Sequence, residues 1–249
     1  MLRTLTTIAF ALCAASAAAS STAEETPPSP AEACRSTEQV QARAFWLQTY
    51  DRVRLYAIEA GSGKTAVILA HGGGSDVCET LGLAGNLVAN GHRVVAFDFR
   101  GYGRSQSPRK NPLALGKDLA AAVAHARRTG AERVFLMGSS MGGAAIVQNT
   151  SSLRVDGRIS VSGMRLWRGF GLNNPRGLRR IRAPFLYVGS RRDPRAPLRE
   201  ALAMFRRVGA ADKRTALYRG SDHGFLLFET SSSAAQRLTL VLRWIETHS

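Results

Sequence analysis

Val134-Phe135-Leu136-Met137-Gly138-Ser139-Ser140-Met141-Gly142-Gly143 is the stretch on which the reading of this chain turns. An apolar run ends in a Gly-x-Ser-x-Gly pentapeptide, and the helix-forming Ala144-Ala145-Ile146-Val147 follows. A buried strand, a sharp turn and a helix satisfy that pattern. Glycines two before and two after Ser140 leave room for the strand and helix to cross closely. Such a turn lifts the hydroxyl clear of a sheet and aims the helix amino terminus at a developing anion. The flanking strand and helix separate this run from an ordinary flexible Gly/Ser loop. Ser140 is the candidate nucleophile.

Outward from this turn, short apolar runs alternate with helix-like stretches. Strands are predicted over 53–58, 66–70, 93–97, 134–137, 159–162, 185–188 and 215–218. Helices are predicted over 77–89, 113–128, 142–150, 198–208 and 234–247. Several of the strands are continuously apolar, as strands buried on both faces should be. In the helix over 113–128, Leu115, Leu119, Ala122 and Val123 form an inward stripe, and Lys117, Asp118 and Arg127 are expected to face water. Repeated strand–helix–strand units imply an α/β fold, a mostly parallel sheet with helices on both faces. Sheets of this kind carry reactive groups beyond the carboxyl ends of their strands.

A second glycine-rich turn lies upstream, in Val67-Ile68-Leu69-Ala70-His71-Gly72-Gly73-Gly74. Acyl transfer needs backbone N–H groups aimed at the carbonyl oxygen as it becomes negative, and glycines permit that approach. The amides of Gly73 and Met141 are the candidate oxyanion donors, ahead of Gly74. His71 reads as a residue that holds the loop, not as a base.

With Asp98-Phe99-Arg100-Gly101-Tyr102-Gly103-Arg104-Ser105 between them, these motifs resemble the α/β-hydrolase superfamily, over about residues 53–248. The resemblance implies that Asp98 and Ser105 belong to a structural turn after the fourth strand. It also implies the chain order nucleophile, acid, histidine. Asp193, in Phe185-Leu186-Tyr187-Val188-Gly189-Ser190-Arg191-Arg192-Asp193-Pro194, matches the acid-bearing loop after the penultimate strand. His223, in Arg219-Gly220-Ser221-Asp222-His223-Gly224, matches the histidine loop after the last strand. His223 would take the proton of Ser140 while Asp193 fixes its tautomer. Asp222 is a rival acid by sequence, although adjacent residues rarely face one another.

Serine at position 140 separates the chain from superfamily branches that use Asp, such as epoxide hydrolases and haloalkane dehalogenases. It also separates it from dienelactone hydrolases, which use Cys; haloperoxidase-like members with the same triad stay open. About 20 residues, 164–183, separate the sixth strand from the next, too few for a helical cap domain. The fold is therefore expected to be lidless, with Leu166, Trp167, Phe170 and Leu172 either walling an acyl pocket or packing in the core. The resemblance implies a serine hydrolase of carboxylesterase type, cleaving a small ester or thioester through an acyl-enzyme on Ser140, without a cofactor. The alternatives are a peptidase and a catalytically silent domain that binds a partner or an anionic surface. Intact serine, acid and histidine positions weigh against the silent domain.

Composition bounds the rest. A chain of 249 residues suits one domain with a single core. Arg3, the apolar run over 5–15 and Ala15-Ser16-Ala17-Ala18-Ala19 follow the pattern of a cleaved secretory signal. That run falls short of the roughly 20 residues that span a bilayer. The expected organisation is a signal peptide over 1–19, a flexible arm over 20–40 and an α/β-hydrolase domain over 41–249, in a secreted or periplasmic protein. Loss of Cys13 with the signal leaves Cys34 and Cys78, expected to pair in an oxidising compartment, with two buried thiols as the alternative. The net charge is +16, from 34 basic and 18 acidic residues. Residues 165–214 alone carry fourteen Lys and Arg against Asp193, Glu200 and Asp212. Such a region attracts an anionic surface or substrate, or serves solubility alone. No nucleic-acid-binding motif accompanies it. His92, His125 and His248 show no metal-ligand spacing with a carboxylate or thiol, so no metal is expected.

Overall fold

Eight strands form one sheet: β1 (Ala42–Gln48), β2 (Arg54–Ala60), β3 (Thr65–Ala70), β4 (Arg93–Phe97), β5 (Arg133–Ser139), β6 (Gly157–Val161), β7 (Phe185–Ser190) and β8 (Lys213–Tyr218). The computed structural model describes residues 26–34, 40–164, 174–229 and 232–249. The spatial order is β1-β2-β4-β3-β5-β6-β7-β8. β2 pairs antiparallel with β1 and β4, and β3 to β8 run parallel. Alternation along the parallel strands feeds two cores. Ala66, Ile68 and Ala70 of β3 enter one, and Val67 and Leu69 enter the other. In β5, Val134 and Leu136 are set against Phe135 and Met137 in the same way. Each large side chain so buried contributes about 1.5–3 kcal/mol, which fixes which face each strand presents.

The helices are α1 (Pro30–Cys34), α2 (Leu81–Ala89), α3 (Leu115–Arg128), α4 (Met141–Gln148), α5 (Pro175–Arg180), α6 (Leu198–Arg207) and α7 (Ala234–Thr247). Val77–Thr80 and Gly224–Phe228 form 3-10 turns. Leu119 of α3, Val147 of α4, Leu178 of α5 and Met204 of α6 pack in the first core. Ala33 of α1, Leu87 of α2 and Trp244 of α7 pack in the second. The sheet is thus covered on both faces, as expected of an α/β fold.

The seven expected strands all form, and β1 adds an eighth at the edge. The helix expected over 77–89 divides into the 3-10 turn Val77–Thr80 and α2. Asp118 departs from expectation. It is buried, because Arg100 reaches across to it with Nη2 2.7 Å from Oδ1. Arg100 also pairs with Asp51 at 3.0 Å, so one buried guanidinium links the β1–β2 turn to α3.

The arm expected to be flexible over 20–40 contains α1. Ser29 and Glu32 cap it reciprocally: Glu32 Oε2 accepts from the Ser29 amide at 2.8 Å and Ser29 Oγ accepts from the Glu32 amide at 3.3 Å. The Tyr56 hydroxyl donates to the Pro28 carbonyl at 3.0 Å. A disulfide joins Cys34 to Cys78. Leu166, Trp167, Phe170 and Leu172, expected to wall a pocket or join the core, lie outside the described residues.

Candidate active site

The sheet places β3 between β4 and β5, so the chain crosses from one side of β3 to the other after β4. Such a switch in winding direction leaves a crevice at the carboxyl ends of the strands. β5 ends there in a tight turn. Ser140 takes φ 52° and ψ −109°, in the left-handed region that side chains rarely occupy. Its amide donates to the Val161 carbonyl at 2.8 Å. The glycines are dictated by space: a Cβ on Gly138 would stand 2.4 Å from the Gly142 carbonyl carbon. One on Gly142 would stand 2.3 Å from the Ala70 carbonyl oxygen.

The structure brings Ser140, His223 and Asp193 into one chain of hydrogen bonds. His223 Nε2 lies 2.7 Å from Ser140 Oγ. His223 Nδ1 lies 2.7 Å from Asp193 Oδ2 and 2.9 Å from Oδ1. With Nδ1–H donating to the carboxylate, Nε2 is left to accept from the serine hydroxyl. Asp193 Oδ1 also accepts from the amides of Arg195 at 2.9 Å and Ala196 at 3.1 Å. Burial opposes its charge, but the His223 hydrogen bond and attraction, with those from Ser162 and the Arg195 amide, hold the carboxyl below its ordinary range.

Two further residues support this chain, and no motif singles them out. Ser162 Oγ accepts from the Gly224 amide at 3.1 Å, which anchors the histidine loop, and its side chain helps to hold the Asp193 carboxyl ionised. Its position just past β6, at the same end of the sheet, is the signal that would have found it. Glu79, in the turn after Gly74, joins the other two motifs. Its Oε2 accepts from the Gly72 amide at 2.7 Å, and its Oε1 accepts from Ser139 Oγ at 2.6 Å.

Gly73 is exposed, and no acceptor among the described residues takes its amide. Met141 opens α4, where first-turn amides have no intrahelical acceptor. Both candidate oxyanion donors are therefore unspent. His71 is fully engaged in holding the loop: Nδ1 contacts the Gly72 carbonyl at 2.7 Å and Nε2 accepts from the Phe99 amide at 3.0 Å. Burial lowers its pKa, so the ring stays neutral.

Asp222 turns away from His223 and pairs with Arg237 at 3.0 Å. Asp98 accepts from the Val77 and Arg104 amides at 2.6 and 2.8 Å. Ser105 Oγ accepts from the Tyr56 amide at 3.0 Å, so both residues are scaffold. His125 contacts Glu59 at 3.3 Å and His248 contacts Asp212 at 2.9 Å, so neither ring is spent on Ser140, Asp193 or His223. Among the described residues, no group of three or more His, Cys, Asp or Glu is placed to hold a metal.

The profile of a family described as serine aminopeptidase, S33, matches residues 61–166, a span that holds the glycine loop and Ser140 but ends before Asp193 and His223. No curated protein matches the sequence. Among solved structures, an esterase of Pyrococcus furiosus superposes with a TM-score of 0.69 at 17% identity, covering 84% of this chain and 91% of its own. A monoacylglycerol lipase of Paleococcus ferrophilus gives 0.66 at 18% identity, covering 78% and 99%. A predicted CIB-like hydrolase of Thermoplasma acidophilum gives 0.66 at 20% identity, covering 84% and 100%. At such identities the likeness is one of fold, and it agrees with the strand order described above: the chain has the α/β-hydrolase fold.

Proposed function

We propose that this protein is an exported serine hydrolase of carboxylesterase type. The observation that carries the reading is the unbroken chain Ser140 Oγ–His223 Nε2 at 2.7 Å and His223 Nδ1–Asp193 Oδ2 at 2.7 Å. In the first step Ser140 Oγ bonds to the carbonyl carbon of an ester or thioester as its proton passes to His223 Nε2. The amides of Gly73 and Met141 receive the oxyanion. Collapse breaks the bond to the leaving group, which takes the proton from His223. Water, deprotonated by the same ring, then releases the acid and restores Ser140. Asp193 holds the ring orientation and stabilises its charged form throughout.

The test is labelling with a fluorophosphonate, with the modified peptide mapped by mass spectrometry. Adduct is expected on Ser140, absent in Ser140→Ala and slowed by at least about 10²-fold in folded His223→Ala. A folded wild-type chain that takes no label would overturn the reading in favour of a silent binding domain. The description of the matching profile favours a second reading, an amide-cleaving peptidase. Aminoacyl anilides assayed beside short acyl esters and thioesters separate the two. Export is supported by the signal-like pattern over 1–19 and by the Cys34–Cys78 bond, since such bonds persist in oxidising compartments.

A further inference from the structure

The two ends of α4 differ in chemistry. Ser140 stands at its amino end, and Arg158, on β6, caps its carboxyl end. The Arg158 side chain is buried, at 1% exposure. It donates to the carbonyls of Ile146 at 3.2 Å, Thr150 at 2.8 Å and Leu153 at 3.2 Å, and to Thr150 Oγ1 at 3.4 Å. None of these is a carboxylate. A helix end supplies only about half an elementary negative charge, and much of this buried cation is left uncompensated. Burial accordingly pushes the guanidinium down to about 10.

Arg158 forms part of the wall of a cavity of about 470 Å³, which Arg127, Arg154, Arg180 and Arg182 also line. Asp156 is the one acid on that wall, and it is already matched. Its carboxylate pairs with Arg127 at 2.9 Å and Arg133 at 3.2 Å, and it accepts from the Val134 amide at 2.8 Å. Arg182 is partly engaged, through the carbonyls of Arg179 at 2.6 Å and Gly209 at 3.2 Å. Arg154 and Arg180 are exposed and make no hydrogen bond or ion pair among the described residues. Guanidinium groups gathered around a concavity focus a positive field. Their planar forks match phosphate oxygens two at a time. The volume lies in the range of small-molecule sites.

We propose that this cavity binds a small molecule or headgroup bearing two or more phosphate groups. Arg154 and Arg180 contact it from the rim, and Arg158 supplies charge from within. The site lies at the far end of α4 from Ser140, and α4, with eight residues, is about 12 Å long. Its occupation therefore leaves the nucleophile open.

The probe is inorganic pyrophosphate, titrated calorimetrically at fixed ionic strength into wild type, Ser140→Ala and R154A/R180A. Both arginines are exposed, and melting curves check each variant's fold; R154A alone serves if the pair is unstable. Wild type and Ser140→Ala are expected to bind one equivalent alike, with Kd raised about tenfold or more in R154A/R180A, the loss of charge-assisted forks. Vesicles that carry a phosphatidylinositol bisphosphate form a second arm. Co-sedimentation lost in R154A/R180A, without pyrophosphate binding, supports the site and assigns the phosphate to a headgroup. Equal binding by R154A/R180A, binding abolished by fluorophosphonate on Ser140, or no binding in either arm overturns the proposal. The readout is heat or sedimentation, so failure here leaves the catalytic reading untouched.

Discussion

Asp193 is held between opposing demands. Burial disfavours its charge, yet His223, Ser162 and the Arg195 amide keep its carboxyl below the ordinary value of 3.8. A carboxylate depressed in the folded state stabilises the fold above its unfolded pKa, and that stability is lost as pH falls through the folded value. Asp193→Asn removes the titrating group while keeping the shape. The difference in Tm between wild type and Asp193→Asn should therefore be largest near pH 6–7 and shrink below about pH 4. Thermal unfolding from pH 2 to 7 measures it. A difference that stays constant across that range would mean that the neighbours do not hold this carboxylate ionised.

The support for the glycine loop is built from elements that lie far apart in sequence. α1 is bonded through Cys34 to Cys78, and the next residue, Glu79, holds both the Gly72 amide and the Ser139 hydroxyl. The bond spans 44 residues, and closing a loop of that length removes unfolded-state entropy worth about 4 kcal/mol. The Cys34→Ala/Cys78→Ala variant should lose about 2–4 kcal/mol by urea unfolding. An unchanged midpoint would show that the arm is a passenger. Such elements differ in how far they can be read from sequence. β3, β5 and β7 are legible because runs buried on both faces leave continuous apolar stretches. β1 is not, because in Ala42–Gln48 only Leu47 is buried and no alternation survives. α1 and α5, at five and six residues, are too short to show a helical period. Ser140 is legible in a local strand–turn–helix pattern, whereas Asp193 and His223 are legible only through the resemblance, whose order of acid and histidine loops their segments match. The burial of Asp118 depends on Arg100, and the role of Glu79 on Gly72 and Ser139. Those pairings are tertiary, and nothing in the residues beside them encodes them.

Charge acts at the scale of the whole molecule. A net +16 creates a field whose reach is set by salt, about 30 Å at 10 mM and 8 Å at physiological strength. Ser140 lies past the carboxyl end of β5, and the arginine-lined cavity lies at the opposite ends of the strands, where Asp156 precedes β6 and Ala183 precedes β7. A cationic body of this kind draws an anionic substrate toward it before any contact forms, and leaves a neutral one to diffuse unaided. Two esters with one leaving group, one acyl chain neutral and one ending in a carboxylate, separate steering from chemistry. For the anionic ester, kcat/KM should fall about tenfold between 10 and 150 mM salt while kcat stays level. For the neutral ester neither should move. Initial rates across that series make the measurement. Equal responses of the two esters would mean that the charge takes no part in substrate capture and serves solubility, and the arginine-lined cavity would then be the one place where it acts on a ligand.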